Sequence, residues 1–292
     1  MSDDPTTRML ASLDGLSVGD AFGELFFDPG IARTCLPDRT LPPGTWRWTD
    51  DTNMALSIVE VLAAEGTIDQ DRLALSFGTH FDGTRGYGTA MYGLLAKYEL
   101  GVSWRDEAPR LFGGQGSYGN GASMRVAPLG AFFAGDLDRV VVEARRAAEI
   151  THAHPEGIAG AIAVAAAAAL ATGKKPKTLV ERVIDVTPDS EVRDRLERAK
   201  RVEGNWHLSD VVALLGHGSR ITAQDTVAFA IWVASYHLKD YEDALWLTVA
   251  AGGDIDTNCA IVGGIVGARV GRKGIPKEWL NRRERLPEWH HR

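Results

Sequence analysis

Apolar residues return every three or four positions through most of the chain, the spacing that gives an α-helix one buried stripe. It predicts helices over residues 7–23, 51–65, 70–81, 88–99, 121–134, 138–150, 156–172, 177–186, 190–202, 208–215, 224–238, 241–251 and 256–270. The punctuation agrees: Gly66 and Gly101 follow helical runs, Gly173 closes an alanine-rich one and Pro188 interrupts another. TPDSEVRDRLERAKRV (187–202) reads as an amphipathic surface helix with Asp189 or Ser190 as N-cap. No series of alternating strands and tight turns emerges, so the expected fold class is all-α.

Two segments escape this pattern. Residues 28–48, with prolines at 29, 37, 42 and 43, read as the longest loop, and residues 113–121 (GGQGSYGNG) as a second. Neither resembles a flexible linker, so residues 1–292 are taken as one domain. The most apolar run, Ile158 to Ala171, is mostly alanine. It is shorter than the ~20 residues a bilayer span needs, and is expected as a buried helix.

Composition narrows the function classes. With 32 basic and 39 acidic residues the net charge is −7, and no basic run occurs. That argues against a membrane surface or a nucleic acid as the main partner, a modified nucleic-acid substrate excepted. Cys35 and Cys259 form no C-x-x-C pair and are expected as reduced thiols, a single disulfide being the alternative. The polar, acidic start MSDDPTTRML does not look like a signal peptide, and the expected compartment is cytoplasmic.

Chemistry concentrates in two related motifs. WRWTDDTNMAL (46–56) and GGDIDTNCAIV (252–262) share the core D-T-N-x-A, 205 positions apart, each opening an apolar run. One such motif would be explained by N-capping, which needs a single side-chain oxygen. Two of them gather Asp50, Asp51, Asp254 and Asp256, with Thr49 and Thr257, at helix starts near the core, and neither motif contains Lys or Arg. Buried, uncompensated carboxylates repel one another and resist desolvation, and divalent cations relieve both costs. Hard oxygen donors point to Mg²⁺ or Mn²⁺, and four carboxylates would balance two such ions about 3.5–4 Å apart, a spacing suited to activating water.

The second loop continues into GASMRVAPLG, and a glycine-rich turn before a helix offers backbone N–H groups to a phosphate or diphosphate. Ser117, Asn120 and Ser123 add polar partners, Arg125 a charge and Tyr118 a stacking face. A structural loop that lets helices approach closely is the competing reading. In THAHPEG (151–157), His152 is a candidate ligand or substrate contact, and His154 before Pro155 reads as helix-start chemistry. RGYG (85–88) makes Tyr87 a candidate contact, and Trp46 and Trp48 are candidate stacking groups.

In this order the segments GLSVGDAFGE (15–24), WTDDTNMAL (48–56), SYGNGASMRVAPLG (117–130), THAHPEGIAGA (151–161) and GGDIDTNCAIVGGIVGA (252–268) resemble the ADP-ribosylglycohydrolase family, which includes dinitrogenase reductase-activating glycohydrolase and ADP-ribosylarginine hydrolases. The resemblance implies an all-α orthogonal bundle around a dinuclear Mg²⁺ or Mn²⁺ centre. Thr49, Asp50 and Asp51 match one ligand cluster and Asp254, Asp256 and Thr257 the other. Ser117, Tyr118, Gly119, Asn120 and Gly121 match the loop that holds diphosphate and ribose, and His152 a histidine of that pocket. The implied reaction is hydrolysis at C1″ of the distal ribose, releasing ADP-ribose from a modified protein. Arginine is the expected acceptor, serine, nucleic acid or a small molecule the alternatives, and a silent ADP-ribose binder the rival class. The family pattern G-D-x-x-G-x-x-x-E is broken: Gly19, Asp20 and Gly23 are present, but Phe27 stands at the glutamate position. The expected acid/base groups are therefore Glu24, three residues earlier, or the aspartates Asp51 and Asp256.

Overall fold

Glycines at 15, 19 and 23 recur once per helical turn, so one stripe of the first helix has no side chains and another backbone can lie against it. In the computed structural model, which describes residues 4–173, 178–203 and 206–291, that stripe is filled by a helix from the other end of the chain. Helix α1 (Pro5–Glu24) runs antiparallel to α17 (Ile255–Val270), and the two form the most extensive helix pair of the protein. A Cβ on Gly15 would overlap the Gly263 carbonyl, one on Gly19 the Cys259 carbonyl, and one on Gly23 would stand 2.8 Å from the Asp256 Cα.

Between them lie α2 (Pro29–Cys35), α3 (Asp50–Glu65), α4 (Gln70–Thr79), α5 (Thr89–Glu99), α6 (Trp104–Glu107), α7 (Leu111–Gly114), α8 (Gly121–Met124) and α9 (Ala127–Phe132). There follow α10 (Leu137–Glu149), α11 (Pro155–Ala171), α12 (Leu179–Val186), α13 (Glu191–Ala199), α14 (Leu208–Leu215), α15 (Ala223–Tyr236) and α16 (Tyr241–Ala251), with α18 (Lys277–Arg282) after α17. Among the described residues there is no strand, only isolated bridges of Trp46 with Arg283 and of Gly119 with Thr222. The fold is all-α, as expected, and no described helix is long and apolar enough to cross a membrane. Alanine-rich α11 is the central post: every residue from Gly157 to Ala171 is buried, and it packs against α8, α9, α10, α12, α15 and α17. His154 caps it, its Nδ1 accepting the Glu156 N–H at 3.1 Å. Both cysteines are free and buried.

Two expectations need correction. Residues 28–48 are not all loop: Asp28 accepts the N–H groups of Gly30 (2.6 Å) and Ile31 (3.3 Å), Pro29 takes the first helical position, and α2 follows. The helix expected over 121–134 is broken at Arg125–Val126, because Pro128 has no N–H to donate and sits at the start of α9 instead. The expected start of α12 at residue 177 lies outside the described residues.

The rest of the first loop is pinned. Trp46 is fully buried, donates its ring N–H to the Pro42 carbonyl (3.1 Å), and joins Phe22, Phe26, Trp246 and Trp279 in an aromatic cluster. Its backbone is tied to Arg282 and Glu284 at 2.7 Å each. This anchors the chain just before Thr49.

Candidate functional site

The carboxylates meet where the C-terminal turn of α1 touches the first turns of α3 and α17. Asp50 and Asp51 begin α3, while Asp254 immediately precedes α17 and Asp256 lies in its first turn. The close Gly23–Asp256 contact brings α1 near enough to add a fifth, Asp20. One oxygen each from Asp20, Asp51 and Asp256 lies within 4.8 Å of the others, so the three could hold a metal ion.

Capping of α3 is handled from outside the aspartate pair, which frees Asp50 and Asp51, while Asp256 Oδ1 accepts the Thr257 N–H at 2.8 Å. Asp20 reaches across from α1 and accepts the N–H of Thr49 (2.9 Å), the N–H of Thr52 (3.1 Å) and both hydroxyls, at 2.8 and 2.5 Å. The Asp50 N–H goes to the Arg85 carbonyl at 2.8 Å. Asp51 is left with one carboxylate oxygen buried and unpartnered. Asp254 caps no N–H of its own helix and accepts from Asn120 Nδ2 at 2.5 Å. Burial raises every carboxyl here: Asp20 to about 6, Asp50 to about 8 with Asp20 and Asp254 adding to it, and Asp254 upward. Asp51 and Asp256 are pushed well up by burial and next by Asp256 and Asp254 respectively. These groups resist carrying their charges together without a cation. An unpartnered buried oxygen amid hard carboxylate donors is what Mg²⁺ or Mn²⁺ would satisfy, so the residues present fit the implied ions.

Two cavities meet at this cluster. One, of about 410 Å³, is lined by Asp50, Asp51, Asp254, Asp256 and Thr257 together with Ser117, Gly119, Asn120, Gly121 and His152. The second, of about 760 Å³, is lined by Glu24, Phe27, Asp28, Arg47, Trp48 and Thr49 among others, and shares Gly86, Asp254 and Asp256 with the first. Glu24 lines the second cavity and not the first, and the glycine-loop residues line the first and not the second. Partial burial and then the Asp20 charge raise its carboxyl.

His152 is held neutral, pushed down to about 3 by burial and by the Arg125 charge. The Thr151 hydroxyl accepts from Arg125 (2.7 Å), and its own hydrogen has His152 Nδ1 (2.8 Å) as partner. Hydrogen-bond accounting therefore puts the ring proton on Nε2, which faces the loop, 3.0 Å from where a Gly121 Cβ would stand.

Other candidates fall outside the first cavity. Arg125 carries its charge away from the loop: it is fully buried, lies 4.5 Å over the Phe77 ring and donates to the Ala147 carbonyl. Tyr87 is buried behind the wall formed by its neighbours Gly86 and Gly88, accepting from Asn53 Nδ2 at 2.9 Å. Tyr118 is half-exposed near His154 and Phe112. Trp46 is core, and Trp48 faces the second cavity beneath the Arg85 guanidinium, 3.4 Å from its ring centre.

Phe112 and Ile221 were not anticipated. They line the first cavity, are 58% and 64% exposed, and have left-handed backbones with φ of 51° and 54°. Such a conformation costs about 1–3 kcal/mol for a bulky residue and tends to occur at ligand sites. Nothing in the local sequence signals it. Asp20 did carry a signal, the glycine stripe that presses its helix onto α17.

A family model for ADP-ribosylglycohydrolase matches residues 1–291. ADP-ribosylhydrolase ARH3 of Gallus gallus is 29% identical over 94% of this chain and 88% of its own length. ADP-ribosylarginine hydrolase Tri1 of Pseudomonas putida (strain GB-1) is 26% identical over 94% of this chain and 74% of its own. A solved ADP-ribosylglycohydrolase-related protein complex superposes with a TM-score of 0.70 at 26% identity, over 99% of this chain and 95% of that one. With the model spanning nearly every residue, and the aspartates of α1, α3 and α17 converging in one cleft, the chain belongs to the ADP-ribosylglycohydrolase family of hydrolases.

Proposed function

We propose that the protein hydrolyses the N-glycosidic bond between C1″ of ADP-ribose and an arginine side chain of a modified protein, with Mg²⁺ or Mn²⁺ held by the aspartate cluster. The observation that carries this reading is the convergence of Asp20, Asp51 and Asp256, with Asp51 and Asp256 lining the cavity that the glycine loop also lines. The name of the Tri1 relative supports arginine as that acceptor.

Asp20, Asp50, Asp51, Asp254 and Asp256, with Thr49 and Thr257, would hold two divalent ions, which when bound supply Lewis-acid polarisation of water and ribose hydroxyls. The loop of Ser117, Tyr118, Gly119, Asn120 and Gly121 receives diphosphate and ribose, and His152 donates from Nε2 to an oxygen there. The exposed apolar faces of Phe112 and Ile221 shelter the adenine. Asp51 or Asp256 takes a proton from the attacking water. As the C1″–N bond breaks and C1″–O forms, Glu24 returns a proton to the departing guanidine nitrogen.

Incubation with an ADP-ribosylarginine peptide and Mg²⁺ is expected to release free ADP-ribose, and a chelator, Asp51→Ala or Asp256→Ala to stop it. ADP-ribose binding without release from any conjugate would sink the enzymatic reading in favour of a binder.

A further inference from the structure

The ADP-ribose reading fills one of the two cavities that meet at Asp254 and Asp256 and leaves the other without an occupant. Resting on that reading, we infer that the second cavity is the acceptor subsite, and that Phe27 determines specificity by taking the flat, cationic guanidinium of arginine on its exposed ring.

The short turn Leu25–Phe27 between α1 and α2 sends its two aromatic rings opposite ways. Phe26 is buried against Phe22 (4.9 Å between ring centres) and Trp246 (5.8 Å), while Phe27 is 48% exposed on the cavity wall. The turn is held at both ends, by Gly23 against Asp256 and by Asp28 capping α2. The backbone that carries the ring is therefore anchored only a few residues from the point where α1 touches the metal-side aspartates. Such a solvent-facing phenyl beside a reaction centre suits a ligand that covers it.

Charge favours a cation. Glu24 and Asp28 flank the ring on the same wall. Of the two cations there, Arg47 faces Glu24, and Arg85 is committed to Glu284 (2.7 and 3.0 Å) and Asp82 (3.2 Å). The same cavity already holds a guanidinium flat on an aromatic ring, Arg85 on Trp48. Guanidinium, planar and weakly hydrated, gains from such a face in a way that a serine hydroxyl does not.

Matched peptides carrying ADP-ribosylarginine or ADP-ribosylserine in the same flanking sequence test this through kcat/KM. Wild type is expected to favour the arginine conjugate. Phe27→Leu should lose about tenfold on arginine, mostly in KM, and less than about twofold on serine, whereas Phe27→Tyr keeps the preference. Calorimetry should show ADP-ribose affinity unchanged in Phe27→Leu. An unchanged arginine-to-serine ratio, a wild-type preference for serine, or weakened ADP-ribose binding overturns the acceptor inference and leaves hydrolysis standing. No release by wild type from either conjugate overturns the proposed function and this inference with it.

Discussion

Replacing Asp20 by asparagine should make the metal-free protein more stable while weakening its hold on metal. Burial raises the Asp20 carboxyl from the ordinary 3.8 to about 6. The folded state then binds its proton more tightly than the unfolded chain does. The resulting cost begins near pH 4, grows with pH and is complete above about pH 6, where two pH units correspond to about 3 kcal/mol. Asparagine removes the charge and keeps most of the hydrogen bonds. Its oxygen can still accept from Thr49 and Thr52 at the Oδ2 position, and the displaced Thr49 hydroxyl can turn to Asp51 Oδ2, 3.1 Å away. A net gain of about 2 kcal/mol raises Tm by about 4 °C in a chain of this size. Thermal melts with chelator should therefore place Asp20→Asn above wild type at about pH 8 and level with it near pH 4. With Mg²⁺ the order should reverse, since a site filled at 100 times Kd adds about 2.7 kcal/mol to wild type. A chelated variant that melts below wild type at pH 8, or a gap of equal size at both pH values, would refute the reasoning.

Gly19→Val drives a side chain into the Cys259 backbone; a loss of about 3 kcal/mol or more is expected, together with the Mg²⁺-induced rise in Tm, and an unchanged melt would contradict the packing. His152 stays neutral to about pH 3, so the rate profile between about pH 5 and 8 should contain no limb that His152→Gln removes. Because glutamine keeps an N–H near the Nε2 position, that variant should bind ADP-ribose better than His152→Leu, and the opposite ranking would count against the donor role. Tyr87→Phe strips one of the two acceptors of Asn53 Nδ2, leaving the His80 carbonyl, and should cost about 1 kcal/mol, read as a lower Tm with KM unaltered; a raised KM would place the ring in the cleft.

The helices were legible because their apolar stripes are long, and the two D-T-N-x-A motifs because chemistry repeats in them. What escaped was set by partners distant in the chain. Asp20 reads as one acidic residue in an apolar helix until α17 is laid along the glycine stripe, and only then do its four hydrogen bonds to Thr49 and Thr52 explain why Asp50 and Asp51 are spared capping. Phe27 shows the same limit. Its place at the family's glutamate position does not say which of two adjacent rings is buried, and only the packing of Phe26 onto Trp246 shows which is left outside. Arg125 erred in the other direction, since its place after the glycine loop suggested a role there and tertiary packing took it to Phe77 and Thr151.

The α1–α17 pairing also governs when during synthesis the cleft comes into being. Asp256 follows Asp20 by 236 positions, so no ribosome-bound chain holds both until all the helices between them have been made. Until then the bare glycine stripe of α1 has nothing to lie against, and the carboxylates of α3 lack their facing set. A release of the chain before α17, or a protease cut in the segment before residue 255, would yield well over two hundred residues of mostly helical sequence with half a reaction centre. Catalytic competence is thus reserved for chains made past α17 in which that helix has closed on α1.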